Sequence, residues 1–409
     1  MSKAQKVANI AFVAVISAML FSVIGYEVIQ HVIPGFNAPQ ESYLEGRKYQ
    51  HFQKPTVQAF ANGDFQASFS KSIADDIPLR DKVIALNAAA QRGIIEIANA
   101  PFSFEAYPTF FGARYVSIPA MGRISATPSV QNAELAASID EAASLWSAFI
   151  EKYPDTRWFV FMPDWPSISL VNPVHDLIAN PVDRTYWEDR FFSQLPESCA
   201  YVDGAYEDSG DWELAFFKTD HHWQIQGAFA AYRKIAKSLG VTPIGPVEFY
   251  ETDSGQFYGA YAQSGLCFPD GGDVVWDIAY DPSPLVVHIN GKAVDPASLD
   301  EGFHDSGTLY RAQSEFQNVY AEWFHSDHGL IEIENESAET DKTLLIIGES
   351  FTNNVERLFA ESYRKVYVVD PRLFEGNISQ LMVAASPDDA LVILSGTWSS
   401  EDVLKCIKK

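Results

Sequence analysis

The chain reads as an α/β protein built on a parallel sheet, and three observations predict it. Leu135, Ile139, Ala142, Trp146, Phe149 and Ile150 recur at helical spacing over 132–153, and the apolar run Trp158-Phe159-Val160-Phe161-Met162 follows before Pro163 stops it. A helix feeding an apolar strand in this way is the signature of a parallel sheet. Late in the chain, Leu344 to Ile347, Val366 to Val369 and Leu391 to Leu394 form three more apolar runs separated by helical stretches. The composition, 47% apolar over 409 residues, is that of a packed globular protein with one large domain or two smaller ones.

Residues 8–26 are almost wholly apolar, with Lys3 and Lys6 before them and Glu27 as the first charge after. About 18 such residues suffice for a membrane-spanning helix, and the preceding lysines predict a cytoplasmic N-terminus. The expectation is a single-pass anchor in the cell membrane over 1–30, with the bulk of the chain extracytoplasmic. The competing reading is a cleaved signal peptide, for which no convincing small-x-small cleavage site follows the run. Residues 31–100 read as a membrane-proximal arm leading into a first helix, with Val83, Leu86, Ala90, Ile94 and Ile97 on one face. The α/β domain then occupies 101–409, opening with short strands and loops over 102–124.

Ala200-Tyr201-Val202 predicts a further strand, and Ala228, Tyr232, Ile235, Ala236 and Leu239 a helix closed by Gly240. Residues 241–341 change texture, being rich in glycine, proline and aromatics, and Asn290-Gly291 sits between apolar stretches as a hairpin turn. This segment is expected to be a β-rich insertion in the α/β core.

Charge and motifs exclude several functions. Lysine and arginine number 29 against 54 acidic residues, a net charge of −25, which argues against nucleic acid as a partner and against anionic lipid surfaces. Cys199, Cys267 and Cys406 lie far apart without C-x-x-C spacing, so cysteine-bound zinc is dismissed and at most one disulfide can form. Neither a G-x-G-x-x-G nor a G-x-x-x-x-G-K-S phosphate loop occurs. No cofactor is expected.

Two stretches carry chemistry. In Lys218-Thr219-Asp220-His221-His222-Trp223 a carboxylate stands two residues before an imidazole, at the entrance to a helix. Asp220 can there orient His222 and stabilise its protonated form, which makes His222 a candidate general base. In Leu344-Leu345-Ile346-Ile347-Gly348-Glu349-Ser350 an apolar strand runs into a turn, and Ser350 at its tip is a candidate nucleophile. The competing reading of Ser350 and Asp220 is helix capping. Backbone N–H groups after Ser350, with Asn353, could hold an oxyanion. Arg372, beyond the strand ending at Val369, is placed to bind an oxyanion or a substrate carboxylate, or else to form a salt bridge. His221 and Tyr258 are further substrate-contact candidates with packing as the alternative, and Trp223 reads as a core anchor.

Thr219-Asp220-His221-His222-Trp223 resembles the signature of the bacterial DHHW protein family, which is related to the alginate O-acetyltransferase group of SGNH-hydrolase-like proteins. Gly63-Asp64-Phe65, Asp76-Ile77-Pro78-Leu79-Arg80-Asp81, Phe257-Tyr258-Gly259, Ser264-Gly265-Leu266, Gly348-Glu349-Ser350-Phe351-Thr352-Asn353 and Val369-Asp370-Pro371-Arg372 are similar in the same order. The resemblance implies an SGNH-like three-layer α/β/α sandwich with its catalytic blocks circularly rearranged, Asp-x-His first and serine later. It implies transfer or removal of an acyl group, usually acetyl, on an exported or cell-surface polysaccharide. A membrane-bound O-acyltransferase is the implied partner that supplies the acyl group. Such proteins commonly carry Asp where this chain has Glu349. The Asp-His-His run also invites comparison with the DHH phosphoesterases, but the upstream aspartate motifs that would hold their manganese pair are missing, so no metal is expected. The alternative function is a non-catalytic scaffold or glycan-binding component of an export or acylation machine.

Overall fold

The computed structural model describes residues 3–32, 41, 42, 44, 47–50, 56–75, 77, 79–299, 316 and 319–408. The chain divides into two units, 1–94 and 95–409.

In the first unit the apolar run lies within one helix, α1 (Lys3–Val32), on which Val7, Ile10, Phe12 and Phe21 are exposed. Among the described residues no helix is long and apolar enough to cross a membrane, so the expected span is not found there. Three more helices follow: α2 (Val57–Ala61), capped by Thr56, α3 (Asp64–Asp75) and α4 (Arg80–Asn99), which contains the helix expected from Val83 onward. Buried Asp75 and Asp81 hold this unit together. Asp81 accepts from the Ser42 hydroxyl (2.8 Å), Asp75 accepts from the Gln50 N–H (2.9 Å), and Arg80 lies within ion-pair distance of both. Asp76 and Pro78 of the quoted motif fall outside the described residues.

The second unit is a mixed α/β fold around one eight-stranded sheet. Its strands are β1 (Arg157–Phe161), β2 (Cys199–Val202), β3 (Leu285–Ile289), β4 (Lys292–Val294), β5 (Leu330–Asn335), β6 (Thr340–Gly348), β7 (Tyr363–Val369) and β8 (Asp389–Ile393), in the order β4-β3-β5-β7-β6-β8-β1-β2. Strands β7, β6, β8, β1 and β2 are mutually parallel, with Ile346 opposite Val368 on one side and Leu391 on the other. Strands β5, β3 and β4 extend the β7 edge antiparallel.

The predicted helix and strands of the core are present. Helix α5 (Ala133–Glu151) is capped by Asn132, whose side chain accepts from the Leu135 N–H, and α6 (Ile225–Leu239) ends at Gly240 in the left-handed conformation (φ 76°). Both faces of the sheet are covered. Trp158 and Phe161 lie three residues apart on β1 and so point to opposite faces. Trp158 meets Phe149 of α5 at 5.7 Å, and Phe161 meets Trp223, just ahead of α6, at 6.1 Å. On the α5 side, α9 (Glu401–Lys408) packs against α5. On the other side Tyr232 of α6 meets Phe359 of α8 (Glu356–Ala360) at 5.0 Å. That is why β6 and β8 read as continuous apolar runs: each is buried on both faces where it passes through the centre.

Three sequence expectations are corrected. The Asn290-Gly291 turn does join a hairpin, both residues having positive φ, but the hairpin is β3–β4 and belongs to the main sheet. The segment 241–341 is thus part of the core sheet as well as a source of loops, including the antiparallel pair Glu248–Glu251 with Trp276–Ala279 and the short helix α7 (Ala260–Gly265); its residues 300–315, 317 and 318 lie outside those described. After β6 the chain makes a 3₁₀ turn, Ser350–Thr352, and becomes α-helical only at Glu356. Likewise α6 starts at Ile225, so Asp220 to His222 form a loop ahead of it. Neither Asp220 nor Ser350 therefore caps the α-helix that follows it in the chain. All three cysteines are free.

Gly227 fixes how α6 meets the segment before it, since an added Cβ would lie 2.5 Å from the Ala215 carbonyl oxygen and 2.8 Å from its Cβ. Gly227→Ala gains up to about 1 kcal/mol in helix propensity but overpacks rigid backbone at about 1–3 kcal/mol. Net destabilisation is expected, read as a lower midpoint in urea with an unchanged slope.

Candidate active site

The parallel strands bring their carboxyl ends to one edge, the usual place for ligand chemistry in open α/β sheets. Ser350 follows β6 there, Arg372 follows β7, and Ser395 follows β8. The Asp220 loop reaches the same edge from outside the sheet.

That loop is built by buried polar contacts. Arg123 inserts beneath it and donates to the carbonyls of Glu213, Phe216 and Phe217. Its burial lowers the guanidinium pKa to about 10. Asp273 accepts from the Lys218 N–H (2.9 Å), the Thr219 N–H (2.7 Å) and the Thr219 hydroxyl (2.5 Å). The same hydroxyl accepts from the Gly259 N–H (2.9 Å), and the Thr219 carbonyl accepts from Tyr261 and Ala262. Gly259 has no room for a side chain, because a Cβ would lie 2.4 Å from the Asp220 Cβ and Oδ2.

At the centre stand Asp220, His222 and Ser350. His222 Nδ1 lies 2.7 Å from Asp220 Oδ1, and His222 Nε2 lies 2.7 Å from Ser350 Oγ. Asp220 Oδ1 also accepts from the His222 N–H (3.0 Å), and its Oδ2 accepts from the Ala260 N–H at the start of α7 (2.7 Å). Burial would raise the Asp220 pKa, but His221 and His222 beside it hold it well below the carboxylate range. An ionised carboxylate can only accept, so Nδ1 of His222 carries the hydrogen and Nε2 is free to accept from Ser350. Burial and the neighbouring His221 lower the His222 pKa, against the pull of Asp220. Ser350 itself is half-buried, with access from outside.

Residues that sequence reasoning did not single out complete the geometry. Tyr320 stacks on the His222 ring at 4.0 Å and 14°, and its hydroxyl donates to the Ser350 carbonyl (2.8 Å). Trp223, the expected core anchor, donates to Asn354 Oδ1 (2.8 Å) and packs on Phe351 at 5.2 Å, tying the two loops together. Glu349 points to the loop after β8: its carboxylate accepts from the Ser395 N–H and hydroxyl and from the Thr397 hydroxyl (3.0 Å). Gly348 has no room for a Cβ, which would meet the Thr352 methyl and the Ile393 carbonyl.

The remaining candidates are placed as follows. His221 is half-exposed, 3.1 Å from Asp220 Oδ1. Asn353 is near Ser350 in sequence, but its amide donates to Asp327 Oδ1 (3.1 Å). Arg372 takes the salt-bridge role: it is bracketed by Asp370, Asp327 (2.8 Å) and Glu349 (3.9 Å). Tyr258 packs against Phe268 and Phe316 at 5.1 and 5.9 Å. Asp327, which no sequence signal marked, thus receives both Asn353 and Arg372. Asp220, His221 and His222 each offer a ligand atom within 4.8 Å of the others. Both oxygens of Asp220 and both ring nitrogens of His222 are already hydrogen-bonded, so a cation would have to break the chain to Ser350.

Comparison with known proteins agrees with this architecture. Among solved structures the chain is similar to a DHHW family protein from Eubacterium siraeum (16% identity, 72% of this chain and 94% of that one, TM-score 0.54). It is also similar to Bacillus cereus PatB1 (16% identity, 69% and 96%, TM-score 0.54) and to PatB1 with a sulfonyl adduct (15% identity, 69% and 97%, TM-score 0.53). No curated protein matches the chain. Residues 200–369, from β2 through Asp220, His222 and Ser350 to the end of β7, match the model of the DHHW protein family.

Proposed function

We propose that the protein is an extracytoplasmic serine O-acyltransferase or esterase that moves acetyl groups on an exported or cell-surface polysaccharide. The observation that carries this reading is the unbroken chain Asp220–His222–Ser350, two hydrogen bonds of 2.7 Å at the carboxyl ends of a parallel sheet. A separation of many ångströms between Ser350 and His222 would have suited a non-catalytic glycan-binding component instead. The SGNH-like reading, with Asp-x-His ahead of the serine, is supported by this geometry and by helices on both sheet faces. Extracytoplasmic placement and a membrane anchor rest on the sequence: the apolar residues 8–26 behind Lys3 and Lys6.

In the proposed reaction His222 Nε2 takes the Ser350 proton as Oγ attacks the acyl carbon. Asp220 stabilises the imidazolium, and backbone amides near Ser350 hold the oxyanion. The imidazolium then gives its proton to the departing group, leaving acyl-Ser350. A sugar hydroxyl or water, deprotonated by the same ring, attacks the acyl-serine and restores Ser350. The donor would be supplied by a membrane-bound O-acyltransferase in the transfer direction. Arg372 and Asn353 serve this scheme by holding Asp327 and the rim of the site, since their donors are engaged there.

Two tests follow. With a chromogenic acetyl ester, Ser350→Ala and His222→Ala are expected to lose about 10³–10⁶-fold in kcat. A sulfonyl fluoride should add one sulfonyl group to the wild type and none to Ser350→Ala by mass spectrometry. Wild-type-like turnover by Ser350→Ala would sink the proposal. Gly259→Ala should push the Asp220 carboxylate off its position and lower kcat by about 10²-fold while the protein stays folded by circular dichroism. An unchanged rate there would mean that Asp220 does not orient the base.

A further inference from the structure

We propose that His221 is a positioning residue that keeps His222 free to act as base at mildly acidic pH, an inference that rests on the triad reading above. Two imidazoles converge on one oxygen: His222 Nδ1 and His221 Nδ1 lie 2.7 and 3.1 Å from Asp220 Oδ1, and their ring centroids are 3.8 Å apart. The other Asp220 oxygen is bound to Ala260, so the two rings share a single acceptor. Two imidazolium cations at that separation repel, and a proton on one opposes a proton on the other.

The surroundings decide which ring takes it. The His222 side chain is buried, enclosed by Tyr320, Phe351 and Ser350, with Asp220 and, farther off, Asp327 as the carboxylates that favour its cation. The side chain of His221 is 35% exposed, so water can solvate its cation. Facing it are the Tyr261 and Phe351 rings, the carboxylates of Asp220 and Glu349, and the guanidinium of Arg372, which opposes them. Burial disfavours the charge on both rings. On His221 the carboxylates outweigh it and raise the pKa, whereas on His222 burial and His221 together prevail and lower it. As pH falls, His221 protonates first and holds off protonation of His222. The base therefore remains neutral, and Ser350 remains activated, to lower pH than Asp220 alone would allow.

The test is the pH profile of kcat/KM for the full chain with a chromogenic acetyl ester, wild type against His221→Gln, which keeps a hydrogen-bond donor but no charge. In the variant the acidic limb should move to higher pH, with activity on the acid side falling several-fold relative to the alkaline plateau. A uniform loss with the limb unmoved would assign His221 a merely structural role and overturn the inference. A second measurement needs neither turnover nor the variant: ¹⁵N-imidazole NMR titration of the wild type should show His221 taking its proton at higher pH than His222, and the reverse order overturns the inference. Absence of turnover and of sulfonylation in the wild type would instead sink the acyl-transfer reading, and the titration order would still decide this one.

Discussion

One buried negative charge organises the site. The Asp220 carboxylate is removed from water, where an unpaired anion is costly, and it is stabilised by donors from its own loop and from the start of α7. Those bonds dictate the rest. They fix the His222 tautomer and turn Nε2 toward Ser350. They also require backbone at position 259 to come so close that only glycine fits. Among the described residues the donors around Asp220 are backbone N–H groups and two imidazoles, with no lysine or arginine. Its charge is thus compensated by groups whose own protonation answers to pH.

The sheet supplies the remaining precision. Strands β6, β7 and β8 deliver Ser350, Arg372 and Ser395 to one edge because they are parallel and in register. Around them the fixed contacts run between loops that are far apart in the chain: Thr219 with Asp273, Trp223 with Asn354, Tyr320 with the Ser350 carbonyl, and Glu349 with Ser395 and Thr397. None of these pairs carries the attack itself. Each removes a degree of freedom from a group that the proposed reaction uses, and preorganisation of this kind is where much of catalytic advantage resides.

The fold was legible where burial alone decides the outcome. Apolar runs such as Leu344 to Ile347 can only be central strands, Gly240 closes α6 because it tolerates the left-handed region, and Asn290-Gly291 makes its hairpin for the same reason. The local spacing Asp220-x-His222 and the strand-end serine were legible too, since one pattern is local and the other marks a strand terminus. What sequence could not rank was competition between partners. Arg372 and Asn353 had suitable donors, but Asp327, a carboxylate brought in by the fold from 26 residues away from Asn353, engages both. Tyr258 was read as a substrate contact or a packing residue, and its ring lies against Phe268 and Phe316, while Tyr320, in no motif, stacks on His222. Glu349 read as a departure from Asp; in the fold its side chain spans to the loop after β8.

The bond between His222 and Ser350 closes a loop of 128 residues. Closing so long a loop carries an entropic cost, and folds built on pairings of this separation form slowly. The parallel strands between which Ser350 sits are themselves long-range pairings, β8 with β1 above all. A chain with its helices formed but its sheet incomplete would therefore hold an ordinary serine and an ordinary histidine. In the proposed reaction, reactivity at Ser350 is thus a property of the finished fold and not of the segment that carries the serine.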